Sequence, residues 1–252
     1  MNILDSAVHR HTLRIWRKVA RHAPVMDRAG LHAARARAKP LWTALNEVIR
    51  TADARLAAPR IDAVPPATPH GTDWSWRPEV WHTPLAAPGM ASVRSKSTLG
   101  HEVTVFHDCP RSELAVRQTR NTRADDRAPY GLQLEVFAFE GSFLSLVLDL
   151  PRSAIEGLTR QHLVRLDTII AVETPVKIFA RLNVRHGPNT EQLVRELPLD
   201  APETTVEFDL AYSKLDDRRL GHAWIDLILD TPHMSHVAVH DVTLSRRLRA
   251  AL

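Results

Sequence analysis

From about Leu132 to Leu244 the chain places apolar side chains at every second position in one segment after another. That is the period of a half-buried β-strand, whose successive side chains point to opposite faces of a sheet. In the clearest segment Val176, Ile178, Ala180, Leu182 and Val184 alternate with Lys177, Arg181, Asn183 and Arg185. Val164, Leu166, Thr168, Ile170 and Val172 repeat the pattern, as do Val206, Phe208, Leu210 and Tyr212, and Ile225, Leu227 and Leu229 against Asp226 and Asp230. Turn signals separate the segments and no long helical pattern intervenes, which predicts a mainly β fold, an antiparallel β-sandwich, and argues against a βαβ arrangement.

The sandwich is expected over residues 93–247, starting near Val93 with strands around Glu102–Phe106, Glu113–Gln118, Leu132–Phe139 and Phe143–Leu150. Glu140-Gly141-Ser142 reads as a hairpin joining the last two. Ser153-Ala154-Ile155-Glu156 fits a capping box opening one helical turn before a strand at Leu163, and Arg185–Asn189 reads as the turn into a partner at Gln192–Leu197. In the closing strand, His236–Ser245, Val237 and Val239 are odd-numbered while Val242 and Leu244 are even-numbered. One inserted residue produces such a parity switch, so a β-bulge is predicted at His240-Asp241.

Residues 1–58 differ in kind. Residues 1–60 hold 12 Lys or Arg against 4 Asp or Glu, a net +8, whereas the remainder has 21 basic and 25 acidic residues, a net −4. A helix capped by Asp5 or Ser6 is predicted to run to about His22, with Leu4, Val8, Leu13, Ile15, Trp16 and Val19 on one half of its wheel. Arg10, Arg14, Arg17, Lys18 and Arg21 occupy the other half. Such a basic amphipathic arm suits an anionic membrane surface, through residues 5–22, or another acidic partner; it equally suits docking on a neighbouring helix. A second helical region, Asp27–Leu56, is interrupted by Pro40, which predicts a short helix to Ala38, a longer one from Pro40, and packing of the stripes as a helical hairpin.

Pro59, Pro65, Pro66 and Pro69 then mark an extended Pro/Trp-rich linker over residues 59–92. Within it Trp74, Trp76 and Trp81 stand close together and are the candidate stacking platform for a ligand; the alternative is that they pin the linker to the sandwich.

Catalytic signals are sparse. His233, His236, His240 and Asp241 form the most metal-like cluster, yet His236 and His240 lie about 13 Å apart on an ideal strand, beyond direct chelation of one ion. His107-Asp108-Cys109 sets an imidazole near the only cysteine, but neighbouring strand residues alternate faces, and a buried cysteine is expected. Nine glycines, none spaced as a phosphate loop, give no nucleotide signature, and no cofactor is expected. Neither a spanning apolar run nor a leader pattern is present, which leaves a cytoplasmic protein, peripheral to the inner membrane if the arm binds lipid, as the expectation.

The segments Gly71–Pro78, Phe106–Pro110, Gly141–Val147, Ala180–Leu199 and Asp241–Arg247 together resemble an alphaproteobacterial family of unknown function, which implies a bacterial origin and carries no activity or ligand with it. The closing strand, aliphatic-His-Asp-Val-Thr-Leu, is similar to that of jelly-roll carbohydrate-binding modules. The expected function is accordingly non-catalytic binding or scaffolding on a jelly-roll-like sandwich, with a glycan or another protein as partner and the arm for an anionic surface. The alternatives are a metal-dependent hydrolase using His233, His236, His240 and Asp241, and nucleic-acid binding through the arm.

Overall fold

The computed structural model describes residues 3–57, 68–111, 113–123 and 126–249, with side chains in the arm from Arg10 onward except near its end. The first helix, Ile3–His22, already includes Asp5 and Ser6, so neither caps its start as expected; nothing is described of the side chains of Leu4, Val8 and Leu56, and the expectations for Pro59, Pro65 and Pro66 lie outside the described residues. The chain divides into two units, residues 1–52 and 53–252.

In the first unit α1 (Ile3–His22) is followed by one 3₁₀ turn and by α2 (Arg28–Ala57). α2 runs straight through Pro40, so the expected break at Ala38 does not occur. Proline removes the N–H that would bond the Ala36 carbonyl, but both residues are exposed and water can satisfy that group. Among the described residues the expected helical hairpin is also absent: Leu13, Ile15, Leu31, Leu41 and Leu45 remain exposed where stripe-to-stripe packing would bury them.

In the second unit come β1 (Thr72–Trp76), α3 (Glu79–His82), β2 (Gly89–Ala91), β3 (Ser97–Leu99), β4 (Val103–His107), β5 (Leu114–Arg120) and β6 (Tyr130–Val136). They are followed by β7 (Phe143–Asp149), β8 (His162–Val172), β9 (Ile178–His186), β10 (Asn189–Glu196), β11 (Glu203–Asp209), β12 (Leu220–Asp230) and β13 (Ser235–Leu248). Among the described residues these form two sheets, every strand pair antiparallel. One runs β11-β8-β13-β6-β5-β2 with β1 added against β13; the other runs β10-β9-β12-β7-β4-β3. The alternating aliphatics of both sheets, Leu144, Leu146, Leu148, Ile225 and Leu227 from one and Leu132, Leu134, Leu166, Val242 and Leu244 from the other, meet in a single core. This is the antiparallel β-sandwich that the period-two pattern requires.

Three local expectations change. Glu140-Gly141-Ser142 is not a hairpin: β6 and β7 belong to different sheets, and the segment carries the chain across the sandwich. The turn near Ser153 is a 3₁₀ turn at Arg152–Ala154 behind Pro151, without a side-chain cap. Residues 72–91 are no free linker, because β1 pairs with β13 and β2 with β5, and α3 inserts Val80 and Trp81 into the core. The turn between β9 and β10 stands: His186 pairs with Asn189, and Gly187 at φ +56° before Pro188 has the signs of a type II′ hairpin.

The bulge falls at His240. Val239 faces Ile170 and Asp241 faces Ile169, which leaves His240 as the extra residue. A bulge frees backbone groups that the ladder would have paired. The Trp81 indole N–H donates to the Val239 carbonyl at 2.9 Å, and the Asn121 side-chain amide donates to the His240 carbonyl at 2.9 Å. Arg77 then grips Asp241 through two hydrogen bonds of 2.8 and 2.9 Å. Burial pushes the Asp241 carboxyl above the usual aspartate range, with the Arg77 charge and hydrogen bonds pulling the other way.

Candidate functional site: a groove on the outer face of one sheet

The sequence candidates scatter. Trp81 is 0% exposed and bound to the Val239 carbonyl, so it cannot stack on a ligand. Trp74 and Trp76 are partly buried against the core, and the Trp74 indole donates to Ser153 Oγ at 3.2 Å; the three rings form no shared platform. Arg10, Arg14, Arg17, Lys18 and Arg21 are all exposed along α1. The histidine cluster is dispersed: His236 sits 3.4 Å from Glu173, His233 Nδ1 accepts from the Phe139 N–H, and His240 Nδ1 lies 3.1 Å from Asn121 Oδ1. Both Asp241 oxygens are held by Arg77, and among the described residues no group of three potential ligands converges on a metal position. Cys109 is buried with its Sγ–H on the Arg111 carbonyl, while His107 Nε2 bonds the Val93 carbonyl; they form no thiol–imidazole pair.

The structure assembles a site elsewhere. On β4, β7, β9 and β12 the residues that alternate with the core aliphatics point away from the sandwich and line a groove of about 710 Å³. Strand register sets out its floor in rows. Arg181, Asp226, Val147 and Thr104 lie side by side across four strands. Asn183, Trp224 and Asp149 form the next row, and Ile228, Ser145 and Phe106 flank the first on its other side. Arg185 opposite His222 marks one end; Phe143, beside Asp230, marks the other.

The apolar part of the floor is Trp224, Phe106, Phe143, Val147 and Ile228. Trp224 is half-buried and its ring stacks on the His222 imidazole at 5.4 Å between centroids with 23° between planes. His222 is oriented by Asp149, whose Oδ1 lies 3.2 Å from Nε2. At the centre Asp226 Oδ2 accepts from Arg181 Nε at 2.7 Å and from Asn183 Nδ2 at 3.0 Å, and Arg181 Nη2 lies 2.6 Å away in the same ion pair. Gln192 in turn donates to Asn183 Oδ1 at 2.9 Å. These polar side chains are therefore fixed before any ligand arrives. Ser145 Oγ is buried beneath the groove and makes no hydrogen bond within the chain. A smaller hollow of about 310 Å³ shares His222 with the groove but has no other aromatic wall.

Sequence reasoning passed over this face because it reads each strand by its aliphatic half. The available signal was an aromatic in the solvent-facing register: Trp224 in step with Asp226, and Phe143 in step with Ser145 and Asp149.

Fold and site thus define a two-sheet antiparallel β-sandwich with an aromatic-floored groove on the outside of one sheet. The chain belongs to the family of unknown function DUF6478, whose profile matches residues 1–252. No curated protein matches the chain. Among solved structures it is similar to the enzymatically active domain of tailspike protein 4 of bacteriophage CBA120, at TM-score 0.41 and 8% identity, over 59% of this chain and 19% of that one. The match thus spans about a fifth of the tailspike chain. It is also similar to the family 11 carbohydrate-binding module of Clostridium thermocellum in complex with a β-1,3-1,4-mixed-linked tetrasaccharide (TM-score 0.39, 12% identity, 66% of this chain and 99% of that one). A third is the CBM22-1 xylan-binding domain of Paenibacillus barcinonensis Xyn10C (TM-score 0.35, 11% identity, 65% and 94%).

Proposed function

We propose that this protein is a non-catalytic glycan-binding module and that the groove over β4, β7, β9 and β12 receives the sugar chain. The observation that carries the reading is Trp224, held partly exposed on the groove floor beside the fixed Arg181–Asp226–Asn183 set. A pyranose ring has an apolar C–H face and a rim of hydroxyls, and it needs an aromatic surface next to oriented donors and acceptors. Trp224, Phe106 and Phe143 supply the first, while Arg181, oriented by buried Asp226, and Asp149 supply the second. The volume lies within the roughly 300–1,000 Å³ of small-ligand sites, and the open sheet face allows a chain to pass across it.

The test is affinity electrophoresis and titration calorimetry of the full chain against soluble mixed-linked glucan, xylan and galactan. Binding to at least one is expected, and Trp224→Ala should weaken it by tenfold or more, about 1.4 kcal/mol, as removal of an aromatic anchor does. Trp74→Ala, on the other sheet, should leave affinity unchanged once folding is verified by circular dichroism. Retained binding in the Trp224 variant, or no retardation by any of these polymers, would sink the reading.

A further inference from the structure

A second surface lies in the other unit, where α2 carries an apolar stripe whose large described side chains are exposed. Leu31, Ala34, Ala38, Leu41, Leu45, Val48 and Ala52 recur at alternating spacings of three and four, with Trp42 and Ile49 beside them. At 100° per residue all nine fall within an arc of about 120°, the width of a helix face that binds something. Trp42, Leu45, Val48 and Ile49 are 66, 61, 66 and 57% exposed, and Leu31 and Leu41 exceed two-fifths. A contiguous patch of this kind marks an interaction surface.

Charge identifies the occupant. Arg35 and Arg37 sit at the two margins of the stripe, each about 80° from its centre, where long cationic side chains reach headgroups while their stems lie on apolar surface. Residues 1–60 carry a net +8, and α1 repeats the arrangement with Arg14, Arg17, Lys18 and Arg21 exposed opposite Leu13, Ile15, Trp16 and Val19. We propose that α2 lies along an anionic lipid surface, its stripe from Leu31 to Ala52 sunk to the acyl boundary and its flanking arginines on lipid phosphates. This extends the basic face of α1, the only segment whose pattern alone suggested such a partner. The alternatives fit less well. No described helix is long and apolar enough to cross a membrane. A polynucleotide would satisfy the arginines and leave Trp42 and Leu45 in water. A second copy would bring two arms of net +8 together.

The full-length protein is co-sedimented with vesicles of phosphatidylcholine alone and of phosphatidylcholine with phosphatidylglycerol. Binding to the anionic vesicles only is expected. The triple variant Trp42→Gln, Leu45→Gln, Ile49→Gln should reduce it by about tenfold or more, because interfacial binding scales with buried apolar area. The double variant Arg35→Gln, Arg37→Gln, which leaves the stripe intact, should reduce it several-fold. These side chains are exposed, so far-UV circular dichroism should be preserved, and either variant alone can decide the matter. Equal partition onto neutral and anionic vesicles, or full binding by the triple variant, overturns the proposal. So does a wild-type dimer that the triple variant dissociates without any vesicle binding, which would assign the stripe to a second copy. Capture by DNA with no vesicle affinity would assign the arm to nucleic acid.

Discussion

At the level of single residues, the bulge at His240 explains more of this molecule than any candidate catalytic group does. Its freed carbonyls are what Trp81 and Asn121 bind, and Asn121 also donates to the Ala128 and Tyr130 carbonyls at 2.8 and 3.0 Å. Gly131 lies against the same spot: a Cβ there would meet the Val239 carbonyl oxygen at 2.9 Å and His240 Cα at 3.1 Å, both backbone atoms that cannot swing aside. Gly131→Ala should therefore cost about 1–3 kcal/mol in denaturant unfolding, and Asn121→Ala a similar amount through orphaned carbonyls. A Gly131→Ala melt identical to wild type would contradict the close approach. The bulge itself was legible, since parity is counted along the chain. That it would receive Trp81 was not, because Trp81 and Val239 are 158 positions apart and no local pattern joins them.

Among the elements, β1 shows how a segment that reads as a linker becomes a strand. Asp73 takes two hydrogen bonds from buried Arg246, at 3.0 and 3.2 Å, and one from His162 Nε2 at 3.2 Å. The Thr159 N–H donates to His162 Nδ1, which leaves Nε2 to carry the proton toward Asp73. Burial pushes the Asp73 carboxyl up, but the hydrogen bonds and charge of Arg246, and then the His162 hydrogen bond, outweigh it and hold the group below the ordinary aspartate range. A carboxylate with a folded pKa below its unfolded one binds fewer protons when folded. Its stabilisation is present above the unfolded value, near 3.9, and is lost as pH falls through the folded one. Asp73→Asn should thus lower stability by about 1 kcal/mol at neutral pH, a modest figure because the carboxylate is partly exposed, and flatten the fall in Tm below about pH 4. Parallel pH–Tm curves for the two proteins would refute this. α2 makes the converse point. Pro40 predicts a break, yet the helix continues, so Pro40→Ala should restore the missing bond and raise helix stability by up to about 3 kcal/mol, read as later melting of the 222 nm signal. The strands were legible from their buried halves. The groove was not, because its residues face outward, where no period is imposed, and they come together only through the strand order β9-β12-β7-β4.

For the whole molecule, the decisive property is the division of charge and chemistry along the chain, a net +8 over residues 1–60, which hold the helical arm, and a net −4 over the remainder, which holds the β-sandwich. The two proposed surfaces rely on different forces, and salt separates them. Attraction of an arginine-rich helix to anionic headgroups is screened over about 3 Å at 1 M salt, against about 10 Å at 0.1 M. Stacking on Trp224 and hydrogen bonds from side chains already fixed in the groove involve little unscreened charge, since Arg181 is neutralised by Asp226. Raising salt from about 0.1 to 1 M should therefore strip the full chain from anionic vesicles while changing glycan affinity by less than about twofold. The two surfaces are built from different units and have no residue in common, and substitutions without shared partners act additively. The α2 triple variant should accordingly keep wild-type glycan affinity, and Trp224→Ala should keep wild-type vesicle binding. Loss of both activities on either substitution would mean that arm and groove form one site, and that the division of labour drawn from charge and burial is wrong.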